Sequence, residues 1–498
     1  MKDSTHQSFG GQVLTLGFVQ VVLKLRLLIV LPILTRALTQ SELGVYSILT
    51  AFASLANIIC VMGTNSSLQV YIPAEPSQDA RRREFWSLAQ IMLIETLIVA
   101  AALIALRAPV VGLYGNAGIQ PLLFAISVAL IPLQALNALF LSQALNNRQA
   151  RDYARIITWS SMLELGVMIA SVYAFGLAGV LGTLVFKQVL LLLLMGRAVS
   201  RKTAFAPLQA GAFKHLKKYY SYGLIMFVSG LALLIVEHSD KFIIGKLAGM
   251  DQLGVYSVAY GIALFAMELA VPVYSILLPF VTSSVAEGRE DRARHYLERS
   301  FRALMLVYAP AVLLFTIQGR DLLGVFTTRE YLGGAVIFPW VVGGIAVVQL
   351  LGVHTFTLHA YKKGAVIMWS TLVAAGLNVA LNLWLIPGHG IVAAAWSTCA
   401  AYVAHFIIVR QVAVRYIPLR YGAGFLARLA VCGAGTAGAM HLAQQFPGGP
   451  AARLIAGLAL GGAAYVSLLA ATRCVPPDER RQFVELIKNN IRPDQARS

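Results

Sequence analysis

The sequence predicts an all-α integral membrane protein of about 14 transmembrane helices, built as two six-helix lobes related by pseudo-twofold symmetry plus two extra C-terminal helices. Three observations carry this. Apolar stretches about twenty residues long recur almost from end to end. Basic residues concentrate in every second connection. Short motifs of the first half return in the second at offsets of 210 to 212.

A helix rises 1.5 Å per residue, so about 20 apolar residues cross a hydrocarbon core of about 30 Å. Hydrophobic residues make up 58% of the 498 and charged ones 12%, far from the proportions of soluble domains. The spans are expected near 12–36, 42–70, 84–106, 120–144, 154–175, 178–197, 219–240, 252–283, 297–318, 335–360, 365–386, 390–412, 425–443 and 452–472. Continuous apolar runs, without two-residue alternation, exclude a transmembrane β-barrel.

Orientation follows from the cations. With the N-terminus inside, Arg81 to Arg83, the cluster from Arg197 to Lys218, the run from Arg289 to Arg302, Lys362, Lys363 and the tail from Arg473 to Arg497 all face the cytoplasm. Only Arg36, Arg107, Lys241, Lys246, Arg320, Arg329 and Arg453 fall outside, and Lys24, Arg26 and Lys187 fall within spans. Both termini are therefore expected in the cytoplasm. The net charge of +18 follows from this topology and from attraction to anionic inner-leaflet lipids, so nucleic acid is not an expected partner. Cys60, Cys399, Cys432 and Cys474 lack metal or disulfide spacing. The first apolar stretch contains Lys24 and Arg26 and no small-residue cleavage site, so it reads as a retained helix.

The duplication is clearest where Leu43-Gly44-Val45-Tyr46-Ser47 returns as Leu253-Gly254-Val255-Tyr256-Ser257. Ile157-Thr158-Trp159-Ser160 returns as Ile367-Met368-Trp369-Ser370, Val111-Gly112-Leu113-Tyr114 as Leu323-Gly324-Val325-Phe326, Gly179-Val180 as Gly390-Ile391, and Arg36 as Lys246. Six spans per copy is an even number, so the copies enter the membrane alike and are related by an axis along its normal. The expected organisation is an N-terminal lobe 1–197, a basic linker 198–218 with Phe213, Leu216 and Tyr220 on an amphipathic turn, a C-terminal lobe 219–412, extra helices 413–472 and a tail 473–498 with Phe483, Leu486, Ile487 and Ile491 on one stripe.

The Leu-Gly-x-Tyr segments, the stretch from Glu287-Gly288-Arg289 to Arg299-Ser300-Phe301-Arg302 and the turn Asp321-Leu-Leu-Gly-Val-Phe resemble the polysaccharide transporter branch, the Wzx-type flippases, of the multidrug/oligosaccharidyl-lipid/polysaccharide exporter superfamily. The resemblance spans about residues 10–415 and rests on order and spacing. One departure is Tyr222-Gly223-Leu224-Ile225, where many members of the family carry a proline after the glycine.

A charge at the middle of a membrane helix costs roughly 2.5–3.5 kcal/mol, so such residues face a cavity or a partner. Lys24 and Arg26 have two readings: they lock helices by pairing with Glu95 or Glu164, or they line a cavity and hold the diphosphate of a lipid-linked sugar. Arg26 is the preferred ligand, since its planar fork takes phosphate oxygens in pairs. Arg36 and His354 complete the substrate-binding candidates. Glu237-His238-Ser239-Asp240-Lys241 is the densest polar group in any span. An i,i+4 pair of Glu237 with Lys241 and interfacial snorkelling compete there with ion coupling through Glu237 and Asp240, with His238, Glu268 and His354 as further contributors. Glu95, Glu164, Lys187, Asn378, Asn382 and His405 are weaker candidates, each readable as an interhelical hydrogen bond.

No phosphate loop, metal cluster, nucleophile elbow or sizeable soluble domain is present, so catalysis is not expected. The resemblance implies a flippase of the bacterial cytoplasmic membrane that carries undecaprenyl-diphosphate-linked oligosaccharide for exopolysaccharide, capsule or O-antigen assembly. It implies alternating access, H⁺ or Na⁺ as coupling ion, no bound cofactor, and contact with a polysaccharide polymerase or chain-length regulator. Competing expectations are a multidrug or metabolite cation antiporter of the same superfamily, a lipid II flippase, and a scaffold of a polysaccharide synthase complex.

Overall fold

A computed structural model describes residues 26, 29–115, 118–147, 149–208 and 212–475. Every regular element among them is a helix. Hydrocarbon offers no partner for a backbone N–H or C=O, so continuous apolar segments must satisfy these groups internally. The first helix, α1 (29–37), is followed by α2 Gln40–Val61, α3 Thr64–Ala74, α4 Gln78–Ala105, α5 Arg107–Gly112, α6 Pro121–Asn146, α7 Ala150–Ser200, α8 Ala212–Leu247 and α9 Met250–Ala263. A 3₁₀ segment, Leu264–Ala270, leads into α10 Val271–Ala286 and α11 Glu290–Phe326. A second, Arg329–Ile337, precedes α12 Phe338–Ala360, α13 Gly364–Ala413, α14 Ala423–Gln444 and α15 Pro450–Ala471. Lys24 and the amphipathic tail lie outside the described residues, as do the side chains of Phe213 and Leu216.

Among the described residues, ten helical stretches are long and apolar enough to cross a membrane. Two of them, α7 and α13, are double spans. Ser171 and Thr183 share a hydroxyl–hydroxyl bond of 2.7 Å, although twelve residues of straight helix would hold them about 18 Å apart. Asn378 Nδ2 likewise donates to Thr398 Oγ1 at 3.2 Å across twenty residues, about 30 Å of straight helix. Each hairpin turns on a glycine, Gly176 (φ 55°, ψ −136°) or Gly390 (φ 59°, ψ −140°), in a region that only a residue without Cβ occupies comfortably. Splitting both and adding α8 gives thirteen crossings among the described residues; of the predicted first span, 12–36, which would bring the total to the fourteen that the hydropathy predicts, only Arg26 and α1 are described.

Two predicted spans are interrupted. The run 42–70 breaks between α2 and α3, where Met62 and Gly63 both have positive φ. A Cβ on Gly223 would overlap the Met62 carbonyl oxygen, so the glycine at the departure noted in the sequence permits a close approach of α8 to this bend. The run 252–283 is interrupted by the 3₁₀ segment before α10, where Pro272 in the first turn cannot continue the preceding hydrogen-bond ladder.

The duplicated motif opens two helices that pack on each other. Thr39 caps α2: its hydroxyl accepts from Glu42 N at 3.2 Å while the Glu42 carboxylate accepts from Thr39 N at 2.9 Å. A Cβ on Gly44 would overlap the carbonyl of Met250 at the start of α9, and a Cβ on Gly254 would overlap the carbonyl of Gln40 at the start of α2. Ser257 Oγ donates to Ser47 Oγ at 2.7 Å. The repeat also pairs the hairpin glycines, but as Gly176 with Gly390. Gly179, matched with Gly390 from the sequence, instead lies against the Ser171 carbonyl in the returning limb of α7.

The described chain forms two compact units. One holds the residues up to Gly261 with Phe326–Gly334 and Met368–Ala401; the other holds Ile262–Val325, Ala335–Ile367 and the residues from Tyr402 onward. The first has a core of Leu68, Phe85, Leu88, Met92, Leu139 and Tyr219. In the second, α15 is fastened to α11 at two heights. Arg453 grips Asp321 through Nε at 2.8 Å and Nη2 at 2.6 Å, and Tyr465 donates to the Leu306 carbonyl at 2.6 Å.

Candidate functional site

Arg26, Glu164 and Lys187 meet inside the first unit. An Arg26 guanidinium nitrogen and Lys187 Nζ both contact Glu164 Oε2, the latter at 2.7 Å. Glu164 and Lys187 belong to the two limbs of α7, about 18 Å and about 16 Å of helix from the turn at Gly176, which is mid-membrane depth. Glu164 is fully buried, whereas the Arg26 and Lys187 side chains remain 20% and 18% exposed. The carboxylate is thus sealed behind two cations. One positive charge is left over, and Arg26 Nε has no hydrogen-bond acceptor among the described residues. Tyr46, of the duplicated motif, lies within electrostatic reach of both Arg26 and Glu164. Of the two carboxylates the sequence offered as partners, Glu164 takes the role; Glu95 instead accepts from Tyr220 Oη, at 3.1 Å to each oxygen.

A second polar centre surrounds Glu237–Lys241 on α8. Asp240 is fully buried, accepting from the Tyr256 hydroxyl at one oxygen and from Lys241 N at 2.7 Å at the other. Ser239 Oγ donates to Asn378 Oδ1 at 2.7 Å, and Asn382 Nδ2 donates to the same oxygen at 3.0 Å. Asn378 passes the chain on to Thr398 on the returning limb of α13. Lys241 Nζ lies 3.2 Å from His238 Nδ1 and 5.9 Å from the centre of the Tyr260 ring. Two carboxylates, Glu237 and Asp240, face one lysine here, so the charge excess is negative.

The two centres occupy equivalent places in the repeat. Each joins the first helix of its copy (the span of Arg26, or α8), the opening helix of the duplicated motif through Tyr46 or Tyr256, and both limbs of a glycine-turned hairpin. Glu164 and Asn378 even stand the same twelve residues before Gly176 and Gly390. One scaffold therefore carries a cation-rich centre in one copy and a carboxylate- and amide-rich centre in the other.

Other predicted residues lie elsewhere. Arg36 is exposed near the end of α1. His354 and Glu268 belong to the second unit, so neither is among the residues shown around Asp240. His354 is buried between Phe301 and Phe406, at ring-centre distances of 6.0 and 5.6 Å, with its Nε2 3.3 Å from the Tyr421 hydroxyl. Glu268 is half-buried in the 3₁₀ segment before α10. Tyr46 and Tyr256 were legible in the sequence only as repeat markers. Asn378 and Lys187 looked like isolated polar residues until the hairpins brought them to their partners.

Residues 33–335 match the family described as polysaccharide biosynthesis protein, and the chain belongs to that family. It is 21% identical over 398 residues to the probable low-salt glycan biosynthesis flippase Agl15 of Haloferax volcanii, covering 78% of this chain and 79% of the relative. Among solved structures, the lipid II flippase MurJ in an inward closed conformation superposes with a TM-score of 0.75 at 14% identity, over 92% of this chain and 98% of that one. An inward-facing multidrug resistance MATE family transporter of the MOP superfamily superposes with a TM-score of 0.60 at 14% identity, over 78% and 95%. The chain thus has the fold that these two transporters share.

Proposed function

We propose that this member of the polysaccharide biosynthesis protein family is a flippase for polyprenyl-diphosphate-linked oligosaccharide, with Arg26 and Lys187 as hosts for the diphosphate. One observation carries the reading: two cations converge at mid-membrane on a single sealed carboxylate, leaving, among the described residues, one charge in excess and a guanidinium N–H without an acceptor. A diphosphate supplies the missing anion and can take Arg N–H groups in pairs. Lys24, on the same span, is a further cationic host.

In this reading the lobes 1–197 and 219–412 exchange between inward-open and outward-open states while the polyprenyl tail stays in lipid. Glu237 and Asp240, in the repeat-equivalent centre, bind the coupling H⁺ or Na⁺ with Asn378 and Thr398 as neutral oxygen donors nearby. A coupling ion that moves one charge through 100 mV contributes about 2.3 kcal/mol to resetting the carrier. The protein works in the bacterial cytoplasmic membrane with both termini inside, handing its cargo to a polymerase.

The test is uptake of a labelled polyprenyl-diphosphate sugar by the outer leaflet of proteoliposomes. Arg26→Gln and Lys187→Gln at normal reconstitution levels are expected to slow translocation at least tenfold, and wild-type rates in both would remove the diphosphate role. The likeness of fold to a lipid II flippase supports a second reading, a peptidoglycan precursor as cargo. Translocation of lipid II in preference to an oligosaccharide diphosphate would establish it.

A further inference from the structure

A separate hollow of about 640 Å³ opens on the basic face of the first unit, lined by Arg81, Arg82, Gln143, Asn147, Lys202 and Thr203 among others. It shares no residue with either polar centre, so its role stands or falls independently of the proposed cargo. We infer that this hollow binds the phosphate ester of a polyol, a phosphate group carrying a neighbouring hydroxyl.

The charge balance is the first ground. Among the described lining residues, Arg81, Arg82 and Lys202 are accompanied by one carboxylate, Asp79, whose side chain is 75% exposed and lies 3.9 Å from Arg82, too remote and too hydrated to neutralise three cations. Arg81 Nε and Arg82 Nε are buried and without acceptors among the described residues. Buried donors left unmade are costly, and a phosphate has the acceptor oxygens to meet them.

The second ground is an acceptor. Gln143 is buried with its amide nitrogen spent on Asn147 Oδ1 at 3.2 Å and Thr203 Oγ1 at 3.3 Å, and its Oε1 has no donor among the described residues. An ionised phosphate oxygen cannot donate to that acceptor; a hydroxyl on the same ligand can. Ile72 and Pro73 supply an apolar rim beside the cations, and the volume suits a phosphate with a glycerol or sugar attached.

The wall is also held in place before any ligand arrives. Trp86 Nε1 donates to the Thr203 carbonyl at 3.0 Å, Gln90 Nε2 to the Ala206 carbonyl at 3.0 Å, and Asn147 Nδ2 to Thr203 Oγ1 at 3.1 Å. Lys202 Nζ is steadied on the Asn147 carbonyl at 3.1 Å. Such a prearranged wall lowers the ordering cost of binding.

The ligand can come from an anionic lipid headgroup or from solution, and two arms separate these sources. Full-length protein in neutral detergent is titrated with phosphatidylglycerol against phosphatidylcholine by native mass spectrometry, and with glycerol 3-phosphate against inorganic phosphate by equilibrium dialysis. Saturable one-to-one binding of phosphatidylglycerol or of glycerol 3-phosphate, weakened at least tenfold in R81Q/R82Q and several-fold in K202Q but unchanged in R83Q, is the expected result. K202Q alters an exposed side chain and keeps the test open if the double variant fails to fold. No saturable binding of either probe, or affinities in R81Q/R82Q and K202Q within twofold of wild type, overturns the site. Equal affinity for glycerol 3-phosphate and inorganic phosphate overturns the hydroxyl contact at Gln143.

Discussion

Ser257 donates a hydrogen bond to Ser47 at 2.7 Å, and the two are the same position of the duplicated motif. A residue that touches its own copy lies on the axis relating the copies, as in an isologous interface between subunits. The glycines confirm the reciprocity, since Gly44 rests on the first turn of α9 and Gly254 on the first turn of α2. This pseudo-twofold contact explains why the motif survives in both halves: each copy of Leu-Gly-Val-Tyr-Ser is a packing partner of the other.

The glycine contact is testable by stability. Gly44→Ala and Gly254→Ala each place a methyl group against backbone, which cannot rotate away, and each is expected to destabilise by about 1–3 kcal/mol. Gly261→Ala, with open space around its Cβ position, is expected to be neutral or slightly stabilising. Thermal unfolding in detergent, followed by size-exclusion fluorescence, ranks the three; equal behaviour would remove the close packing of α2 on α9.

The hairpin turns make a parallel prediction. Gly176→Ala and Gly390→Ala force a Cβ into a backbone region reserved for glycine, at a cost of about 1–3 kcal/mol each, without any steric neighbour to blame. Gly182→Ala, a few residues on within the helix and also free of neighbours, serves as the comparison and is expected to retain wild-type stability. Protease resistance of the folded protein provides an independent readout.

Removing Glu164 separates locking from binding. Glu164→Gln leaves two cations facing each other at mid-membrane, and loss of one partner of a buried pair typically costs about 3–5 kcal/mol. The double variant Arg26→Gln/Glu164→Gln restores charge balance and is expected to recover most of the stability but none of the translocation. Recovery of both would assign the triad to helix packing alone.

At the second centre, Asp240→Asn is expected to fold, because the amide oxygen still accepts from Tyr256 or from the Lys241 backbone. Its translocation should lose dependence on an imposed ion gradient, falling to the rate that wild type shows when ionophores collapse the gradient. Asn378→Ala, which disconnects Ser239 from Asn382 and Thr398, is expected to weaken the same dependence several-fold. Gradient-dependent flux in proteoliposomes measures both, and unaltered dependence in Asp240→Asn would detach this centre from coupling.

Hydropathy and the distribution of cations determined by themselves that the chain is helical and spans the membrane about fourteen times, because the cost of exposing polar backbone to hydrocarbon is set locally, residue by residue, and the returning motifs showed that it is duplicated. Arg26 and Asp240 were legible for the same reason: a charge inside an apolar run is conspicuous without any structure. What only tertiary structure decided is the company they keep. Glu164 and Lys187 lie on opposite limbs of a hairpin, as do Asn378 and Thr398, so their meeting depends on the backbone turns at Gly176 and Gly390 and on packing between helices remote in sequence. The bend at Met62 and Gly63 escaped hydropathy too, since a left-handed residue inside an apolar run changes direction without changing composition.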